Sequence, residues 1–237
     1  MTLKAILLGA IGAVAETSDI QRRAYNQALA EAGIDWQWDP DTYRKLLTEA
    51  GGKRRLGRLS SAAGNLLSDE QIDTIHLRKT EIACAEVAEG IDLRPGITTL
   101  VQQALDAGIL VAFVTSTYRP NIDAIATGAG SALPLERFAA VLTTEDCERS
   151  KPAPDVYLAA LRRLDVDASE AIAIEDSTAS VSAAKAAGLF TIATPGQFTA
   201  GQDFSAADRV IQSLEGVSIA ELQILLENNR RVPSASS

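Results

Sequence analysis

The sequence predicts an α/β fold, a mostly parallel Rossmann-like sheet flanked by helices, with a helical lobe inserted after the first strand. Three observations carry this. Short apolar runs at 3–8, 109–114, 138–142, 171–174, 190–193 and 209–211 have strand length, and runs apolar on both faces belong to strands covered on both sides. From residue 95 onward these runs alternate with helical patterns, and right-handed crossovers turn such alternation into a parallel sheet. Between 17 and 90 there are helical patterns but no run of strand character.

The first run, Leu3 to Leu8, leads into Gly9, Ala10, Ile11, Gly12 and Ala13. In 19–33, Ile20, Ala24, Ala28, Leu29 and Ala32 recur near the helical period until Gly33 ends it. Helices follow at 40–50, 53–63 and 68–88, the last opened by Ser68 with Gln71 three positions on, a capping-box pattern. A helix at 97–107 closes at Gly108, and further helices are expected at 120–127, 154–164 and 177–187. The polar end reads as a flexible tail. The expected division is an α/β core at 1–16 and 92–228, a helical cap at 17–91, and a tail at 229–237.

With 46% hydrophobic residues and only 5% aromatics, the core should be built from Ala, Val, Leu and Ile, with helices close to the sheet. A net charge of -9 opposes a polyanion, so no nucleic-acid partner is expected, nor a membrane. Cys84 and Cys147 lack CxxC spacing and His76 is the single histidine, which excludes a Cys/His zinc centre. His76 reads as a surface or lobe-packing residue. Lys4 and the apolar run through Val14, with Ala13 and Ala15, imitate a signal peptide. The same run supplies the first strand, and a reducing cytoplasm is the expected location. A dinucleotide loop at Gly9 to Gly12 would need a second strand ending in an acid about 20 positions on, where the chain has a helical pattern instead.

Four segments near the ends of apolar runs are the candidates for chemistry, each a weak signal singly: Gly9 to Gly12, Thr115 to Thr117, Ser150 with Lys151, and Glu175 with Asp176. Further marks are Ala15, Glu16, Thr17; Arg22 to Asn26; Gly51, Gly52, Lys53 with Arg55; Pro120 with Asn121; and Lys151 to Asp155. From Ala5 to about Leu214 the chain resembles the haloacid dehalogenase superfamily. Within it, the resemblance is to the branch holding β-phosphoglucomutase and the CbbY-type xylulose-1,5-bisphosphate phosphatases.

The resemblance implies that Thr115 and Ser116 hold a phosphoryl group while Lys151 neutralises its oxygens. It implies that Asp176, helped by Glu175, holds Mg2+. Glu16, Gly51, Gly52, Lys53 and Arg55 would bind the substrate, the last four at its distal phosphate. The departures fall where the chemistry happens. The family's first strand ends in Asp-x-Asp-Gly-Thr; here Gly9 stands for the nucleophile, Ile11 for the acid/base and Ala13 for the Thr. Gln21 replaces a His, Arg54 a Glu, and Ala179 with Ser180 an Asn-Gly.

Loss of phosphatase activity is therefore expected, with Mg2+ weak or absent and Lys151 paired instead with Asp176 or Glu175. The expected role is to bind a phosphorylated small molecule or a protein partner. The alternatives are a hydrolase with rearranged chemistry, using Glu16 or Asp176 as base, and a structural subunit.

Overall fold

In the computed structural model, which describes residues 2–48 and 51–231, six parallel strands form one sheet. They are β1 (Ala5–Leu8), β2 (Leu110–Val114), β3 (Ala140–Leu142), β4 (Ala171–Glu175), β5 (Phe190–Ala193) and β6 (Arg209–Val210). Their order is β3-β2-β1-β4-β5-β6, so β1 lies inside the sheet and strand order reverses beside it, where open α/β sheets hold their ligands. Leu8 is level with Phe113 on β2 and Ile174 on β4. That register brings the next residues, Gly9, Val114 and Glu175, to one height.

Helices α1 (Ser18–Glu31), α2 (Pro40–Leu46), α3 (Gly52–Ala62) and α4 (Asp69–Glu89) come between β1 and the rest of the sheet. After them come α5 (Ile97–Asp106), α6 (Arg119–Ala129), α7 (Asp155–Leu164), α8 (Thr178–Ala186) and α9 (Ile219–Arg231).

Strand alternation divides the core. Ile6, Leu8, Val111, Phe113, Ile172 and Ile174 meet α5, α6 and α9 on one face. On the other, Ala5, Leu7, Ala112, Val114, Ala171 and Ala173 meet Val156, Tyr157 and Ala160 of α7 and Ala183 and Ala184 of α8. The small side chains on this second face let the helices approach closely. The helical lobe has its own core, which holds Tyr25, Trp38, Tyr43, Leu56 and Ile75. The Tyr25 and Trp38 ring centroids are 4.8 Å apart, within the range where aromatic pairs add to simple burial. The capping box forms: Gln71 N donates to Ser68 Oγ and Ser68 N to Gln71 Oε1.

Several elements differ from expectation. The run 138–142 forms a strand only over Ala140–Leu142, with Phe138 stacked on Phe113 at 5.2 Å before it. The helix expected at 40–50 is seen as Pro40–Leu46, and 49–50 lie outside the described residues. Helix α9 had no clear sequence signal, since Leu222 and Leu226 alone among its described side chains are buried. It reaches Arg231, past the start of the expected tail, and 232–237 lie outside the described residues. Among the described residues no helix is long and apolar enough to cross a membrane.

Candidate functional site

A cavity of about 340 Å³ opens at the carboxyl ends of β1, β2 and β4, between the sheet and the helical lobe. Gly9, Ile11, Thr115, Ser116, Lys151, Glu175 and Asp176 line its sheet end, and Gly51, Gly52, Lys53, Arg54 and Arg55 its lobe end. The strand register explains the first group, and the start of α3 the second. Lys151 comes from the turn before α7 rather than from a strand end.

At the sheet end, Lys151 Nζ lies 2.5 Å from Glu175 Oε1, with both side chains almost fully buried. The ammonium also donates to the Val114 carbonyl at 2.8 Å and lies 3.1 Å from the Tyr157 hydroxyl. Tyr157 in turn donates to Glu175 Oε1. Of the two partners expected for Lys151, it therefore meets Glu175. A Cβ added to Gly9 would come within 2.8 Å of Glu175 Cδ. The Glu175 carboxylate thus fills the space beside Gly9 where a nucleophile's side chain would start. Ile11 adds an apolar wall with no proton to exchange.

Gly12 has φ +81°, and a Cβ there would lie 2.5 Å from Asp176 Cγ, so both conformation and space demand glycine. Burial, reinforced by the Glu175 charge, raises the Asp176 carboxyl well above the usual range and favours its protonated form. Thr115 Oγ1 accepts from the Thr117 amide at 3.2 Å. Ser116 Oγ is buried and unpartnered among the described residues.

Magnesium needs several hard, charged oxygens close together. Gly9 and Ile11 offer no side-chain oxygen, Glu175 Oε1 is engaged by Lys151 and Tyr157, and Asp176 is biased toward its neutral form. No group of three His, Cys, Asp or Glu converges among the described residues. This donor set does not fit a resident magnesium ion.

The lobe end is more cationic. Arg55 is buried, donates through Nε to the Leu46 carbonyl at 2.9 Å, and lies over the Tyr43 and Tyr25 rings. Lys53 sits at the rim, 2.7 Å from Asp73 and over Tyr118. Lys79 was not singled out from the sequence. It is 5% exposed, lies over Tyr25 and donates to Gln21 Oε1 at 2.7 Å. Gln21 continues to Asn121 Oδ1 at 3.1 Å, joining the lobe to α6. Burial, then the charge of Arg55, lowers Lys79 to about 8. The readable signal was its place in the stripe Ile72, Ile75, Lys79, Ala83, Val87, a lysine at an apolar helical position.

His76 packs in the lobe, as expected, but also lines the cavity, and burial lowers it to about 3. It is neutral at ordinary pH. Glu16 does not line the cavity: its carboxylate accepts from the Ser18 amide at 3.2 Å and the Gln197 amide at 2.9 Å. It pins the crossing from sheet to lobe. Arg94 supports the same crossing through the Gly12 and Pro195 carbonyls at 2.7 and 3.0 Å. Among the replaced positions, Ala179 and Ser180 line the cavity, while Ala13 is buried in the turn after β1.

The sequence and the fold are similar to those of known proteins. The model of the haloacid dehalogenase-like hydrolases matches residues 3–188. Protein CbbY of Cereibacter sphaeroides is 41% identical over 212 residues, 89% of this chain and 92% of that protein. CbbY of Rhodobacter capsulatus is 37% identical over 219 residues, 92% of this chain and 96% of its own. The crystal structure of CbbY from Rhodobacter sphaeroides in complex with phosphate superposes with a TM-score of 0.85 at 40% identity, covering 93% of this chain and 99% of that one. A mutant of the same protein in complex with xylulose-(1,5)bisphosphate gives 0.86 at 39% identity, covering 94% and 100%. With its parallel sheet, its inserted helices and a cavity at the strand ends, this chain belongs to the haloacid dehalogenase-like hydrolase family.

Proposed function

We propose that the protein binds a phosphorylated sugar in this cavity and does not hydrolyse it, and that it does so without a resident magnesium ion. One observation carries the reading: the place of a nucleophilic side chain, beside Gly9, is filled by the carboxylate of Glu175, which is tied to Lys151. In a well-studied hydrolase, removing the nucleophile costs on the order of a millionfold in turnover. Here Ile11 removes proton transfer as well.

Binding is supported by the buried cations Lys79 and Arg55 at the lobe end and by the phosphate and xylulose-(1,5)bisphosphate complexes of the similar CbbY. Rearranged hydrolysis has little to draw on. Glu16 is held by backbone amides, burial favours the protonated form of Asp176, and His76, lowered to about 3 by burial, is a weak base. The test is thermal unfolding with and without xylulose 1,5-bisphosphate. The expected result is a raised Tm with the sugar recovered intact. No shift with any sugar phosphate would remove the binding reading.

A further inference from the structure

The two ends of the cavity are charged differently. At the lobe end, Lys79 Nζ is nearly sealed from solvent and its hydrogen-bond acceptor is a neutral amide oxygen, that of Gln21. A buried ammonium with no carboxylate partner among the described residues favours an incoming anion. At the sheet end the cation is Lys151, and its charge is already met by Glu175 Oε1 at 2.5 Å. The Tyr157 hydroxyl donates to the same oxygen. The other oxygen of that carboxylate, Oε2, stands against Gly9, in the room a side chain there would need.

We infer that Glu175 is a resident counter-anion that takes the place of a ligand phosphoryl group at the sheet end, so that the cavity selects sugars with one phosphate, held at the lobe end. The inference rests on the phosphate-binding reading above and narrows it. A second phosphoryl group at the sheet end would have to displace Glu175 from both Lys151 and Tyr157, or lie beside it. In a poorly solvated cavity, like charges so close repel by far more than thermal energy. Ser116 Oγ, buried and unpartnered among the described residues, suits a neutral sugar hydroxyl, which can both donate to it and accept from it. Gly9 makes this possible: any larger residue would push against the Glu175 carboxylate.

Calorimetric titration of the full chain with xylulose 5-phosphate and xylulose 1,5-bisphosphate tests this. The wild type is expected to bind the monophosphate more tightly than the bisphosphate. Glu175→Gln keeps the shape and releases Lys151, so bisphosphate affinity should rise about tenfold while monophosphate affinity stays put. Bisphosphate binding as tight as or tighter than monophosphate binding in the wild type overturns the inference, as does an unchanged ratio in Glu175→Gln. Binding of neither probe overturns the phosphate-binding reading itself, and this inference with it. Should Glu175→Gln fail to fold, Tyr157→Phe removes one of the two groups holding the carboxylate. It should raise the ratio of bisphosphate to monophosphate affinity, and an unchanged ratio counts against the inference.

Discussion

The Glu175 carboxylate and the Lys151 ammonium form a buried ion pair, 2.5 Å apart, at the carboxyl end of β4. Breaking such a pair from one side strands a charge, at a cost of about 3–5 kcal/mol, whereas replacing both partners with apolar groups is often nearly neutral. Lys151→Met is therefore expected to lose stability in that range, and Lys151→Met with Glu175→Leu to recover most of it. Urea unfolding of the two variants checks this. Equal losses in both would mean that the pair is not the unit holding this end of the cavity.

Restoring carboxylates should make the site ask for metal. Gly9→Asp with Ile11→Asp crowds acids against Glu175, a repulsion that a divalent cation relieves. The double variant should unfold at a lower temperature than wild type without metal and regain about 2–4 °C per kcal/mol of binding in millimolar magnesium. Wild-type Tm should ignore magnesium. An equal rise in both proteins would contradict the donor-set account.

Lys79 should leave a mark on stability against pH. Its value falls from 10.5 to about 8 on burial. Between those limits the unfolded chain holds a proton that the native one has lost, so stability should climb as pH rises from 8 to 10.5. Below pH 8 the full cost, about 3 kcal/mol, is present. Lys79→Met should therefore be more stable than wild type at pH 7, with the gap closing by pH 10, and should lose affinity for sugar phosphates. Urea unfolding at both pH values decides it; a pH-independent gap would show that burial of the charge is not what Lys79 costs.

His76 offers a clean probe because the chain has no other histidine. Burial and the nearby Lys79 and Lys53 lower it to about 3. Its imidazole resonances should stay at their neutral positions from pH 8 down to about pH 4, as long as the fold persists. A midpoint near 6.5 by NMR would mean that the lobe end is open to water.

The sheet was legible because apolar runs bounded by Gly and polar turns leave few alternatives to buried strands, and β1, β2, β4 and β5 appear where those runs lie. The sheet-end residues Thr115, Lys151, Glu175 and Asp176 were legible through spacing and resemblance, and they do converge. The lobe end was less so. Lys79 in an apolar stripe and Gln21 in place of a His stand out one by one, but only the packing of α1, α4 and α6 shows that they face inward together. For Glu16 the sequence showed its resemblance to a binding residue but not the two backbone donors that the local chain path brings to its carboxylate. The role of Gly9 in making room for Glu175 needed coordinates, since a glycine in sequence does not reveal what fills the space beside it.

The central claim is that the family's fold persists here without its phosphoryl-transfer chemistry. Phosphate release from xylulose 1,5-bisphosphate, followed with the unaltered chain at high concentration in millimolar magnesium, tests it most directly. The expected result is no release above the protein-free blank, even over many hours. Multiple-turnover release that Asp176→Ala abolishes would contradict the account.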